Sequence, residues 1–401
     1  MRYLFFLLIL LPGPAISQPF SQQETKRDLQ YLKHAILQHQ PGVEQYSPGF
    51  NQQADELLKG LPDTVSLLQH YQLVNRMCAL ASEGHYLLKG MQIMMLQHLF
   101  EREFAYLPLL PGLAQDTLFV RQDYSRSHPF RPGDIILSIN GQTTSDILER
   151  LLQFTPADGN IRTLALRKNA PLFSIRYYCF IEQPDTFRIA FLDSLGQKHT
   201  AKIAALTVPQ QEELRKQRYG SEFKIPGNSP AKPPYTLQFT RELAYLKLST
   251  FAPVPMWQYR SRPDRLYRPL FRKIARNPRP ALLIDLRGNL GGQKIFASGI
   301  LPYLLKPDIP PGQLINTTIT CEGRKVRFTI PRRKKSLAFN GAVFVLVNGE
   351  SFSAAATMAR YLKEYCGATI LGEETGTRYE GFATANLEAI TLPVSGYSIG
   401  I

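Results

Sequence analysis

Three short apolar runs limit what this chain can fold into: Ala281-Leu-Leu-Ile-Asp285, Ala342-Val-Phe-Val-Leu-Val347 and Ala368-Thr-Ile-Leu371. Each is too short to be a buried helix and lacks the polar alternation of a strand with one wet face. Helical patterns separate them, at Arg265 to Ala275, where Pro269 is expected to delay the start, and at Ser353 to Tyr365. Apolar strands alternating with helices predict a sheet covered on both faces. Leu243 to Leu248 joins as a further strand. The sequence predicts a mixed β-sheet unit over residues 236–401, with helices on its faces.

Two other units precede it. Residues 18–105 read as helical. Apolar positions at Leu29, Leu32, Ala35, Ile36 and Leu37 follow helical spacing, and Gln40-Pro41-Gly42 ends the helix. A second helix is expected from Phe50 to Leu61, and a third from an N-cap at Asp63 to Leu80, followed by Ser82-Glu83-Gly84-His85. Residues 106–206 switch to strands and turns, with strands at Thr117 to Val120, Asp134 to Ile139, Phe173 to Phe180 and Phe187 to Phe191. Asn140-Gly141 makes a tight turn, and Thr144 to Phe154 a helix. The polar stretch 207–235 reads as a linker or long loop. The whole is an α+β and α/β multidomain chain.

Residues 1–17 read as a signal peptide, with Arg2, an apolar run from Phe5 to Leu11 and a small-residue site at Ala15-Ile16-Ser17. No stretch is long enough to span a membrane. The expectation is a secreted or periplasmic protein. Net charge is +15, densest over Arg260 to Arg279 and Arg324 to Lys335. Without nucleic-acid motifs, this reads as a solvated basic face rather than a nucleic-acid surface; weak binding to an anionic surface is the alternative. Cysteines 78, 179, 321 and 366 share no CxxC spacing and the histidines no HExxH pattern, so no metal or cofactor is expected. Cys78 and Cys179 read as core residues, although export would permit pairing.

Four segments carry candidate chemistry. In Val345-Leu-Val-Asn-Gly-Glu-Ser-Phe-Ser353-Ala-Ala-Ala, a buried strand turns into a small-residue helix, exposing a hydroxyl beside free helix-end amides. Ser351 or Ser353 reads equally as a helix N-cap. Leu283-Ile-Asp-Leu-Arg-Gly-Asn-Leu-Gly-Gly292 ends a strand in a loop of bare amides, a structural turn or an anion cradle. Gly84-His85 offers a general base or a structural histidine. Pro132-Gly-Asp-Ile-Ile-Leu-Ser-Ile-Asn-Gly-Gln142 is a strand with a tight turn.

Together, in this order, they resemble the tail-specific (C-terminal processing) proteases. The 132–142 segment is similar to their PDZ-like module, the 282–292 segment to their glycine loop, and residues 343–376 to their nucleophile strand and helix. Glu83 to Leu88 resembles the motif of the histidine-using branch. The resemblance implies a serine endopeptidase acting on peptide or unfolded protein, with a PDZ-like module at 106–206, Ser353 as nucleophile and His85 as base. The amides of Ala354, Gly291 and Gly292 would form the oxyanion hole. The lysine-using branch places its base 25 residues after the nucleophile. Here that position is Arg378, which stays protonated, while Lys363 lies on the intervening helix. Departures are Leu290 in place of glycine or proline, Tyr86 in place of threonine, and an end at Ile401 before the stretch expected to hold the acid. Glu373 and Glu380 are substitute acids, and Ser82 a support for His85. The alternative is an inactive peptide- or ligand-binding protein on the same fold.

Overall fold

The structure is a computed structural model, described over residues 19–40, 42–86, 104–220, 233–252, 257–319, 325–381 and 389–400. The expected signal segment, Cys321 and residues 221–232 lie outside these. No described helix is long and apolar enough to cross a membrane.

The C-terminal sheet has five strands in the order Tyr235–Phe239, Leu243–Leu248, Ala281–Asp285, Ala342–Val347 and Thr369–Gly372. The first pair is antiparallel and the rest are parallel, with Leu282 beside Val343 and Val345 beside Ile370. One face carries Ala244, Leu246, Leu282, Ile284, Val343 and Val345, and is buried against helices Pro263–Arg276 and Ala354–Cys366 through Leu270, Ile274, Met358 and Leu362. The other face, with Tyr245, Leu283, Phe344 and Leu346, is only half-buried. The apolar runs therefore predict the strands but overstate their coverage. Helix Pro263–Arg276 begins with its own proline and tolerates Pro269 inside it.

The middle of the chain forms an antiparallel sheet: Leu109–Ala114, Thr117–Asp123, Ile135–Ile139, Thr186–Leu192 and Lys198–Ala204. Asn140-Gly141 turns Ile135–Ile139 back onto Gln142–Thr143, both residues at positive φ. Phe173–Phe180, expected as a strand, is a helix. Its aromatic residues favour β structure locally, but Phe180 stacks between Tyr71 and Phe154 at 5.5 and 4.7 Å, and nearly every side chain of the segment is buried. The 207–235 stretch is not all linker: Val208–Tyr219 is a helix, with a Thr207–Gln210 capping box and Gly220 at φ 59°.

Helices Gln22–His39, Phe50–Lys59 and Leu67–Leu80 precede this sheet. Ser66 caps the third in a box with Gln69, displacing the expected Asp63. These helices and the antiparallel sheet share one core, in which Leu29, Ile36, Val74 and Met77 join Val120, Ile139 and Phe187. The C-terminal hairpin, Ala389–Thr391 with Ser398–Gly400, adds Leu392, Tyr397 and Ile399 to that same core. Cys78, Cys179 and Cys366 are buried free thiols, each pushed up to about 12 by burial.

Candidate active site

Strand Ala342–Val347 ends in a turn that its own side chains hold shut. Ser351 Oγ donates to the Leu286 carbonyl (2.9 Å) and accepts from the Asn348 amide (3.0 Å), so this serine is structural. Asn348 Oδ1 accepts from Gly288 across the cleft (3.1 Å), and the Phe352 amide donates to the Asn289 carbonyl (3.0 Å). The two strand-end loops are thus fastened to each other.

Ser353 follows at φ 56° and ψ −120°, a conformation disfavoured for a residue with a Cβ. Its side chain makes no capping bond to helix Ala354–Cys366. A serine whose role was capping would hold extended backbone and accept from the first turn; Ser353 does neither. Its amide donates instead to Thr377 Oγ1 at 2.7 Å. Such strain costs of order 1–3 kcal/mol and persists only where surrounding contacts enforce it.

The glycine loop closes on this turn. A Cβ at Gly291 would stand 2.6 Å from the Phe352 carbonyl oxygen, 2.8 Å from the Ala354 nitrogen and 2.9 Å from Ser353 Cβ. At Gly292 it would fall within 2.1 Å of the Phe251 carbonyl. The Gly291 amide is committed to Asn289 Oδ1 (2.9 Å), which removes it from the expected oxyanion donors. Among the described residues, the Gly292 and Ala354 amides have no protein acceptor. Asp285 anchors the strand before this loop. Burial alone would raise its carboxyl, but Arg287, Tyr245 and Lys247 hold it well below the usual range.

His85 reaches the same place from the helical unit. Its ring lies 4.4 Å, centroid to centroid, from that of Phe352, the residue before Ser353. Gly84 permits the approach, since a Cβ there would touch the Phe352 ring at 3.0 Å and Asp158 Oδ1 at 2.8 Å. His85 Nδ1 sits 2.6 Å from Glu83 Oε1, which also accepts the His85 amide (3.1 Å). Glu83 is fully buried. Neither proposed substitute acid is here. Glu373 is paired with Arg167 at 2.7 Å and half-exposed, and the Glu380 carbonyl accepts from Arg360. Ser82 turns its hydroxyl to Ser47 (3.2 Å) rather than to the imidazole.

A closed charge cluster surrounds Glu83. Asp158 accepts from the Gly84 amide (2.6 Å) and the Arg378 amide (3.4 Å). Burial, then the Glu83 charge, pushes its carboxyl up to about 7. Lys168, pushed down to about 8 by burial, donates to the carbonyls of Gly84 (2.9 Å) and Pro156 (3.0 Å). Arg378 stands 3.6 Å from Glu83 Oε2 and donates to the Ser82 carbonyl at 2.8 Å. Ligand atoms of Glu83, His85 and Asp158 lie within 4.8 Å of one another, a metal-compatible spacing. Lys168 and Arg378 already supply the cationic charge there, and backbone amides occupy Asp158, so the cluster suits an ion-pair network better than a metal.

The structure brings the sequence candidates Ser353, His85 and the glycine loop together; Glu83, Asp158 and Thr377, which pack beside them, are not among those candidates. Glu83 stands two residues before the histidine, a visible signal. Asp158 and Thr377 come from distant segments with no motif of their own.

Residues 242–398 match the family model described as peptidase family S41. No curated protein matches the sequence. Among solved structures, mature CPAF is 14% identical, with 94% of this chain and 88% of that chain covered at a TM-score of 0.60. Mature CPAF complexed with lactacystin is 15% identical, covering 94% and 89% at 0.58. The photosystem II D1 C-terminal processing protease is 14% identical, covering 94% and 86% at 0.41. The match over 242–398 falls on the unit that carries Ser353 and the glycine loop.

Proposed function

We propose that this chain, whose C-terminal unit is a peptidase family S41 domain, is a serine peptidase that cleaves peptide bonds by acyl transfer through Ser353. The observation that carries the reading is the turn at Ser353: positive φ, no capping bond and glycine backbone against it. A strained strand-to-helix turn lifts a hydroxyl toward substrate and aims the following amide at the oxygen that becomes negative.

In the first step the Ser353 hydroxyl adds to the scissile carbonyl carbon while His85 takes its proton. Glu83, on Nδ1, fixes the imidazole tautomer and offsets the charge that forms on the ring. The carbonyl oxygen becomes an oxyanion between the Ala354 and Gly292 amides. His85 then protonates the departing amine as the C–N bond breaks, leaving an acyl ester on Ser353. Water repeats the sequence, with His85 taking its proton and returning it to Ser353 as the ester is cleaved. No cofactor takes part. The antiparallel unit around 106–206 is the PDZ-like module of this reading and presents extended peptide as an added strand. Cleavage is internal, after export directed by residues 1–17.

Labelling with a fluorophosphonate probe tests this. Wild-type protein is expected to react at Ser353, with labelling abolished in Ser353→Ala and strongly slowed in His85→Ala. Labelling that survives in Ser353→Ala would remove that serine from the mechanism.

A further inference from the structure

Arg378 occupies the position 25 residues after Ser353, one residue past Thr377, the acceptor of the Ser353 amide. Its side chain is about nine-tenths buried. One Nη donates to the Ser82 carbonyl (2.8 Å) and stands 3.6 Å from Glu83 Oε2, while the plane lies 4.5 Å over the Tyr46 ring. The other Nη and Nε have no hydrogen-bond partner among the described residues. Buried donors left unmatched are costly, so an arginine kept only for packing is poorly explained here.

We infer that Arg378 is a positioning residue of the active site: its charge keeps Glu83 ionised against His85, and its bonds fasten the histidine segment to the serine turn. The inference rests on the serine-peptidase reading above. Glu83 offers one carboxylate oxygen to His85 Nδ1 and the other to Arg378, so the guanidinium acts on the imidazole through the acid. It also ties residues 82–83 to 377–378, the two ends of chain that must meet.

The groups facing Glu83 are Asp158, Lys168, Lys294, Tyr86 and Arg378. Two carboxylates buried side by side resist joint ionisation. Lys168 is spent on the carbonyls of Gly84 and Pro156, whereas Arg378 stands 3.6 Å from the Glu83 oxygen that His85 does not use. Without its charge, the Glu83–Asp158 pair would hold a proton to higher pH, and activity that needs Glu83 ionised would fail earlier on acidification.

The experiment compares pH profiles of probe labelling for wild type, Arg378→Gln, Arg378→Lys and Glu83→Gln, and for Arg378→Gln combined with Glu83→Gln. Glutamine keeps a donor for Ser82 without the charge, and lysine keeps the charge. The expected result for Arg378→Gln is a labelling rate lower by roughly 10²-fold, less than the ~10⁴-fold from disabling the acid of a serine triad. Its acidic limb should move up by about one pH unit, Arg378→Lys should restore the limb, and the double variant should be little slower than Glu83→Gln. A rate loss with an unmoved limb, or full additivity in the double variant, overturns the inference and leaves the peptidase reading intact. Wild type unlabelled at Ser353 overturns both.

Discussion

A histidine can serve as a base only if its ring is held and its proton has a defined place. In the proposed mechanism Glu83 does both for His85, by taking Nδ1 at 2.6 Å and the same residue's amide at 3.1 Å. At this scale the most exacting position is Gly291. An alanine there would need φ 88° and would drive its methyl into the Phe352 carbonyl oxygen and the Ala354 nitrogen. Gly291→Ala is expected to lower stability by about 1–3 kcal/mol and to abolish labelling of Ser353, because the displaced amide is Ala354's. Thermal unfolding with parallel probe labelling checks this; a variant that folds and labels normally would show that the loop has room to spare. Single residues are the least legible level of the sequence. Ser351 and Ser353 look alike in sequence, and only the Oγ partners of Ser351 and the backbone angle of Ser353 separate them. Glu373 has the right chemistry for an acid, yet its carboxylate is paired with Arg167, while Glu83 takes the His85 ring nitrogen.

Among elements, those that form on their own chemistry were legible. Strands Ala281–Asp285 and Ala342–Val347 announce themselves by continuous apolar residues, and the Asn140-Gly141 turn by its backbone needs. Phe173–Phe180 and Val208–Tyr219 were not legible. In the first, tertiary burial overrides aromatic β preference; in the second, a polar helix shows too few apolar positions to reveal its period. The turn carrying Ser353 is an element held from outside, by Thr377. Thr377→Val keeps the shape and removes the acceptor, leaving the Ser353 amide unsatisfied at a cost of about 1–3 kcal/mol. If that cost falls on the reactive turn, labelling should slow by about 5- to 150-fold, since 1.4 kcal/mol equals one decade in rate. An unchanged rate constant would mean that the turn keeps its angle without that bond.

For the molecule as a whole, the notable tie is Asp28. This buried carboxylate, on the first helix, accepts the amides of Val394 and Ser395 at 2.8 and 2.9 Å, and His70 Nε2 lies 3.2 Å away. Burial opposes its charge, but the nearby His70 ring and the bonds from Ser395 and Val394 outweigh it and hold its carboxyl below the ordinary value of 3.8. A lowered carboxyl stabilises the fold above its unfolded-state value and loses that contribution as pH falls through the folded one. Stability should therefore decline below about pH 4. Asp28→Asn should cost about 2–3 kcal/mol at pH 7 and flatten the acid decline, as urea midpoints at pH 7 and pH 3 would show. Equal midpoints for the two proteins at pH 7 would sink the assignment.

The C-terminal hairpin, which shares its core with the N-terminal helices, also sets a schedule. On a ribosome, Ser353 and His85 both emerge before residues 389–400, yet the layer that carries His85 lacks Leu392, Tyr397 and Ile399 until the hairpin arrives. A nascent chain halted at residue 380 would hold every reactive group and no finished wall to brace them. A chain shortened before residue 389 is therefore expected to lack Leu392, Tyr397 and Ile399 from the core that also holds Tyr86, the neighbour of His85.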